Sequence, residues 1–398
     1  MSKFQYAAVV ADFNSTAIQA ALSSKDTPDV SIAPVYAAQG INATENFIFD
    51  PILPNNDDDE IFTLFHDGVL YNKNATTPLL KYIYKSLNLS EDSFKELPLA
   101  VAQNAWCDKR QLSSFVETVF EELEVPIFSM HARQLCTAYA MSKPNNCLIV
   151  DFENDYISVT PISNGKVIKK GITKSPFAGD FINLFINKFL QDQGINESDL
   201  LPYDYIKYNG KLTQSFNNFA VTQTLSDFKK SILDISPSAI DAKIFKTPGN
   251  LKTVTIERLD QLNNFIQPIF TPYDSYINKF GTSTLPSAIT PESEGFGQLI
   301  FKSLKNIGGS NQLYSELLNN LIVQGEMSFI PSLEEYILND LRLYIKDYQI
   351  SSYLNQDDMD RGIETWIGAN ILSKFDDLYV SRDEYLEHGQ DGILSRFI

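Results

Sequence analysis

Two stretches of this chain, about 140 residues apart, repeat one pattern: an apolar run, an aspartate followed by a phenylalanine, a short polar turn, and a second stretch. The first runs Ala7-Ala-Val-Val-Ala11, then Asp12-Phe13, then small polar residues; the second runs Cys147-Leu-Ile-Val150, then Asp151-Phe152, a polar turn, and Ile157-Ser-Val-Thr-Pro-Ile162. A continuous apolar run suits a strand covered on both faces. A duplicated strand, aspartate, turn, strand unit therefore predicts a two-lobed α/β protein whose lobes face each other across a cleft.

The connecting segments read as helices and loops. Leu112, Phe115, Val116, Val119, Phe120 and Leu123 form one apolar stripe on a helix that Pro126 stops. A third run, Leu321-Ile-Val323, ends at Gln324-Gly325 and leads to Ser332-Leu-Glu-Glu335, read as a capping box opening a helix with Leu333, Tyr336 and Ile337 inward. The acidic run Asn55 to Glu60 reads as a solvated loop, and Thr271 to Gly295, lacking any period, as an exposed loop of low order.

At 398 residues the chain has length for about two to three domains of ~150 residues. Its net charge of −18 would repel the phosphates that nucleic-acid or anionic-membrane binding must neutralise. Cys107, Cys136 and Cys147 are scattered, and with three histidines they make neither a disulfide framework nor a zinc spacing, which fits a reducing compartment. The apolar run before Asp12 is too short for a signal peptide core or a membrane span, so a soluble, intracellular protein is expected.

An aspartate at the carboxyl end of a buried strand, followed by glycines and a Ser or Thr, is how a cleft wraps backbone N–H groups round phosphates. At this point the chain resembles actin and the actin-related proteins over nearly its whole length. Asp12-Phe-Asn-Ser-Thr16 and Asp151-Phe-Glu-Asn-Asp155 stand where that family has its two phosphate loops, and Trp366-Ile-Gly-Ala-Asn-Ile-Leu372 with Val380-Ser-Arg-Asp-Glu-Tyr385 is the most specific match. The resemblance implies the actin-like fold (ribonuclease-H-like, of the Hsp70 ATPase type), with residues 1–136 plus 362–398 as the first lobe and 137–361 as the second. It implies nucleotide contacts at Asp12, Ser15, Asp151, Lys229 and Gly325, and ATP with magnesium held weakly in a structural role.

The departures from the family pattern bear on activity. The first loop has Asn14 and Thr16 for two glycines and Gln19 for a phosphate-binding lysine; the second has Glu153 and Asp155 for glycines and Asn154 for an aspartate. One unit charge facing another at ~4 Å is worth about 4 kcal/mol at an effective dielectric constant of ~20, so two carboxylates beside a polyphosphate oppose its binding unless they point away or hold a metal. Lys230 and Gly362 replace a ribose-binding glutamate and an adenine-contacting lysine. Arg133 stands where the family orients its attacking water with glutamine, and Gln134, one residue on, is expected to turn ~100° away from the cleft. Arginine is no base and a poor water-positioner, so a non-hydrolysing scaffold is expected. Read from the residues alone, Asp12 and Asp151 can equally cap their loops, Glu153 and Asp155 can form a solvated turn, and Lys229 can be a surface lysine.

Val159 to Ile162, Asn164 to Val167, Ser175 to Phe181 and Met359-Asp-Arg361 ahead of Trp366 are most similar to the nuclear actin-related proteins of fungal SWI/SNF and RSC chromatin remodellers, the seventh class first and the ninth next. The resemblance implies a nuclear heterodimer with a second actin-related protein, clamped on the HSA helix of the remodeller ATPase, among other remodeller subunits, touching DNA and the nucleosome only indirectly and no membrane. The remodelled, acidic stretch from Tyr36 to Phe62 argues against a filament subunit. Tyr139, Leu372 and Phe375 match positions lining a groove that takes the partner helix, their alternative being ordinary core. The other readings are a dynactin-type cytoplasmic actin-related protein and a superfamily ATPase with residual activity.

Overall fold

The computed structural model describes residues 7–40, 47–50, 52–53, 58–206, 208, 212–236, 242–256, 259–353 and 361–397. The strands that build the cleft are β1 (Val9–Phe13), β2 (Ile18–Leu22), β3 (Leu99–Gln103), β4 (Ile127–Ala132), β5 (Asn146–Phe152), β6 (Ile157–Ser163) and β7 (Leu321–Gln324). The helices that matter most for it are α1 (Arg133–Ala140), α2 (Gln214–Ile232) and α3 (Glu364–Leu372).

Among the described residues, two six-stranded sheets carry the fold. In the first, β1 pairs antiparallel with β2 and parallel with β3, and β3 pairs parallel with β4; Val30–Ile32 and Val380–Ser381 close its edges. In the second, β5 pairs antiparallel with β6 and parallel with β7. The duplication extends to register: Asp12 sits opposite Gln19 in one hairpin and Asp151 opposite Ser158 in the other, each aspartate thus facing the seventh residue beyond it. Both aspartates also neighbour the carboxyl end of a parallel strand, at Ala102, one residue before the end of β3, and at Gln324, the last of β7. This is the duplicated α/β architecture that the repeated units predict, and it agrees with the fold that the resemblance implies.

The apolar runs form strands because both their faces are covered: every residue of β1 is buried, and so are Cys147 to Phe152 of β5. Each sheet has its own large apolar cluster, one holding Val9, Phe13, Phe115 and Phe128, the other Leu148, Phe152, Phe181 and Ile337. A smaller cluster joins Val10 and Ala100 to Cys136 of α1 and to Trp366, Ala369 and Leu372 of α3. Here α1 and α3 touch backbone to backbone. A Cβ on Gly368 would stand 1.7 Å from the Cys136 carbonyl oxygen, so only glycine permits this crossing.

Several local expectations change. Thr271 to Gly295 is ordered: Pro272–Phe280 is helical, Tyr276 and Ile289 are buried, and Tyr276 Oη donates to the Thr284 carbonyl at 2.8 Å. Scattered Pro and Gly hid a segment held by a few long-range apolar anchors. The acidic run ends inside a strand, Asp59–Thr63, with Asp59 buried, while Asn55 to Asp57 lie outside the described residues, as do Met359 and Asp360. The helix Leu333–Tyr344 forms with Leu333 and Ile337 buried, but Ser332 has φ 64° and caps no N–H with its side chain, so it is a left-handed entry and not a capping box. The Leu112 stripe lies on Lys109–Glu117, continued by a π turn through Glu122. Among the described residues no helix is long and apolar enough to cross a membrane.

Candidate functional site: the cleft between the two hairpins

In open α/β sheets ligands bind outside the carboxyl ends of the strands. The ends of β1 and β5 converge here, beside a cavity of about 580 Å³ whose lining includes Asp12, Thr16, Lys229 and Gly325. Its inner wall is polar and charged; further along, Leu233, Met327, Phe329 and Ile330 make it apolar.

At the inner wall a single guanidinium is shared by three carboxyl groups. Arg133 opens α1 at the end of β4 and is 3 % exposed. Its Nε donates to Asp12 Oδ1 at 2.8 Å, one terminal nitrogen to Asp151 Oδ2 at 3.3 Å, and the other lies 3.8 Å from Glu153 Oε1. The first nitrogen also donates to Tyr156 Oη at 3.2 Å. Burial opposes the charge on Arg133, but Asp12, Tyr156 and Asp151 hold it protonated, far above the usual range. The carboxyls respond in the other direction. Burial raises Asp12 and Asp151 in spite of Arg133, and burial followed by the Asp151 charge pushes Glu153 up to about 7. Three carboxyls round one cation cannot all ionise cheaply, so the cluster retains protons.

Both turns complete the network. Glu153 accepts from Asn14 Nδ2 at 2.8 Å and from Thr16 Oγ1 at 2.8 Å, and Ser15 Oγ donates to Asp155 Oδ1 at 2.6 Å. Burial lifts Asp155 to about 6, opposed by the Ser15 bond. Glu153 is 1 % exposed, so the solvated turn expected for Glu153 and Asp155 is corrected: the two acids point into the cleft, where the opposite hairpin supplies their donors. Gln134 is likewise corrected. It is buried, donating to Asp151 Oδ2 at 3.1 Å and to Asn104 Oδ1 at 2.8 Å. The turn of ~100° does not take it away from Asp151, because α1 packs against α3 and against strands of both sheets.

The remaining expected residues are placed as follows. Lys229, on the buried face of α2, is 3 % exposed and not a surface lysine; its Nζ donates to Asn154 Oδ1 at 2.6 Å and to the Gly179 carbonyl at 3.2 Å, and burial lowers it to about 8. Gly325, with φ 92°, lies against β5, where a Cβ would stand 2.4 Å from the Phe152 carbonyl oxygen. Its need for glycine is thus structural. Lys230 pairs with Glu326 at 2.6 Å, and Gln19 donates to the Gly362 carbonyl at 2.9 Å. Of the groove residues, Leu372 is corrected: it is 2 % exposed in the cluster with Trp366 and Cys136, because α3 turns that side onto α1 and β1. Tyr139 is partly buried beside the same cluster, and Phe375 is 51 % exposed.

Sequence reading missed Asn104, Tyr156 and Thr365. Asn104 Nδ2 donates to the Gly68 carbonyl at 2.6 Å and Tyr156 Oη at 3.0 Å, while Thr365 Oγ1 accepts from Arg133 at 3.5 Å. No local pattern marks these three; what they share is contact with Arg133, which only the fold reveals.

A magnesium triphosphate needs free donors for its oxygens and carboxylates free to hold the hydrated cation. In this arrangement Glu153 takes the Asn14 and Thr16 side-chain donors, Asp155 takes Ser15, and Arg133 takes Asp12 and Asp151 Oδ2, leaving one buried oxygen of Asp151 without a hydrogen bond among the described residues. These residues as placed do not fit that group. Among the described residues no cluster of His, Cys, Asp and Glu is suited to a metal ion.

The sheets, the paired hairpins and the cleft define a protein of the actin fold. The actin family model matches residues 4–398, and the chain belongs to the actin family. The "SWI/SNF and RSC complexes subunit arp42" of Schizosaccharomyces pombe is 27% identical over 335 residues, 75% of this chain and 76% of that protein. "Actin-related protein 4" of Yarrowia lipolytica is 26% identical, covering 85% and 80%, and "Actin-related protein 7" of Saccharomyces cerevisiae 24%, covering 84% of each. The chain is thus similar to fungal actin-related proteins, among them one named for SWI/SNF and RSC complexes. The fourth class, which the sequence reading did not weigh, stands beside the seventh.

Proposed function

We propose that this chain is a non-hydrolysing actin-related subunit of a nuclear SWI/SNF-type chromatin-remodelling complex, acting as a scaffold and regulator of the ATPase. It pairs with a second actin-related protein on the HSA helix of the ATPase subunit, and other subunits make the contacts with DNA and the nucleosome. In this reading residues 1–136 with 362–398 form one lobe and 137–361 the other, and ATP with magnesium is at most a weak structural ligand. The observation that carries it is the cleft of an otherwise intact actin frame, where Arg133 and Glu153 take up the groups that a bound nucleotide would need. The relatives named above and the net charge of −18 support it.

Native purification of the tagged protein, with its subunits identified and its nucleotide extracted, tests this. The expected companions are a remodeller ATPase and a second actin-related protein, without phosphate release by the pure chain. Recovery with dynactin, or ATP turnover abolished by Asp12→Ala, overturns it. Phe375→Asp should weaken capture of the HSA helix while leaving the melting temperature unchanged, since that ring is exposed; Leu372 is unsuited to this test because it is core.

A further inference from the structure

We propose that the cleft is self-liganded: the β5–β6 turn supplies Glu153 and Asp155 as internal acceptors for the β1–β2 turn, and Arg133 joins the two strand ends, so the hairpins latch together without an external ligand. This goes beyond the scaffold role, which requires neither an open nor a latched cleft.

The geometry has three parts. First, the donors and acceptors are segregated by hairpin: Asn14, Ser15 and Thr16 all donate, and Glu153 and Asp155 accept all three bonds, at 2.6 to 2.8 Å. A pair of turns that merely happened to lie close would mix the two kinds. Second, Arg133 contacts Asp12 of the first sheet and Asp151 of the second, so one cation holds the ends of both β1 and β5. Third, the centre of the network is buried: Glu153, Arg133, Asp12 and Asp151 are each 3 % exposed or less, where hydrogen bonds are little weakened by water and an unmade one is costly, while the three bonds between the turns are half-buried. The backbone N–H of Glu326 adds a 3.3 Å bond to Glu153 and braces the acceptor from its own sheet.

The latch places the energy of closure inside the chain. A cleft closed by a ligand opens when the ligand leaves, whereas this one keeps the relative placement of its two hairpins at any nucleotide concentration.

A double-mutant cycle across the cleft tests it, using the full-length chain and urea unfolding. Thr16→Val and Glu153→Ala are measured singly and together. The latch predicts that the pair is coupled, the double variant being at least ~10-fold more favourable in its folding constant than the product of the single effects. Additive effects overturn it. Should Glu153→Ala fail to fold, Ser15→Ala with Asp155→Asn provides the second cycle, its bond lying nearer the solvent. Small-angle scattering gives an independent reading: the wild-type chain keeps one radius of gyration with and without magnesium ATP, and the Glu153→Ala, Asp155→Ala chain expands. A wild-type chain that contracts on adding magnesium ATP overturns the proposal.

Discussion

The two hairpins of the cleft descend from one pattern and have become opposites. Both place an aspartate at the end of a buried strand, opposite the seventh residue beyond it. The first hairpin then offers amide and hydroxyl donors, whereas the second offers carboxyl acceptors. A glycine-rich turn would let backbone N–H groups approach a ligand; side chains in both turns let the hairpins meet each other. What the difference teaches is that the two halves of a duplicated pattern can become complements of each other while the frame that holds them is kept.

The largest effect should come from the cation between the hairpins. Arg133→Ala leaves three buried carboxyls with no counter-charge and should cost ~3–5 kcal/mol in chemical denaturation. A loss under ~1 kcal/mol would mean that water already screens the site.

The pH dependence should separate the hairpins next. Folded Glu153 holds its proton up to about 7, against 4.5 for an ordinary glutamate. Unfolding therefore releases a proton between these values, so this group's contribution is present in full below pH 4.5 and is lost as pH rises through 7, by roughly 3 kcal/mol. Asp155, lifted to about 6, acts in the same sense. In Glu153→Gln the greater part of that decline should vanish, while Asn14→Ser should keep it, because the donor hairpin has no titrating side chain in its turn. Equal pH profiles in both variants would break the contrast.

Gly325 sharpens it from the other side. Gly325→Ala forces a Cβ towards the Phe152 carbonyl at a positive φ, and should cost on the order of 1–3 kcal/mol, read as a fall in melting temperature. Smallest is Ser15→Ala at the rim, which removes one bond to Asp155 and should cost about 1 kcal/mol in the same assay.

The local patterns carried the frame. Ala7 to Ala11, Cys147 to Val150 and Leu321 to Val323 could be read as buried strands because contiguous apolar residues need no partner to be recognised, and each run falls in a strand with a buried core, the first from Val9 on. Patterns resting on one residue's habit did worse. Ser332 looked like a cap and took a left-handed turn; Thr271 to Gly295 looked shapeless and is pinned by Tyr276 and Ile289. The structure gathers part of the candidate site in one cavity and rearranges the rest. Asp12, Lys229 and Gly325 line one cavity; Glu153, for which a solvated turn was one reading, is buried, and Gln134, expected to turn ~100° away from the cleft, bonds to Asp151.

Order along the chain was enough to decide the strands, the duplication and where the two aspartates must sit, since each depends on neighbours within a few residues and on burial that composition already reports. The partner of each cleft side chain was decided only in three dimensions. Asn14 and Glu153 are 139 positions apart, and Arg133 meets carboxyls 121 and 18 positions away. Whether a glutamate is a solvated turn or a buried acceptor depends on the donors that the other sheet brings to it, and that is a property of two surfaces meeting, which no local period records.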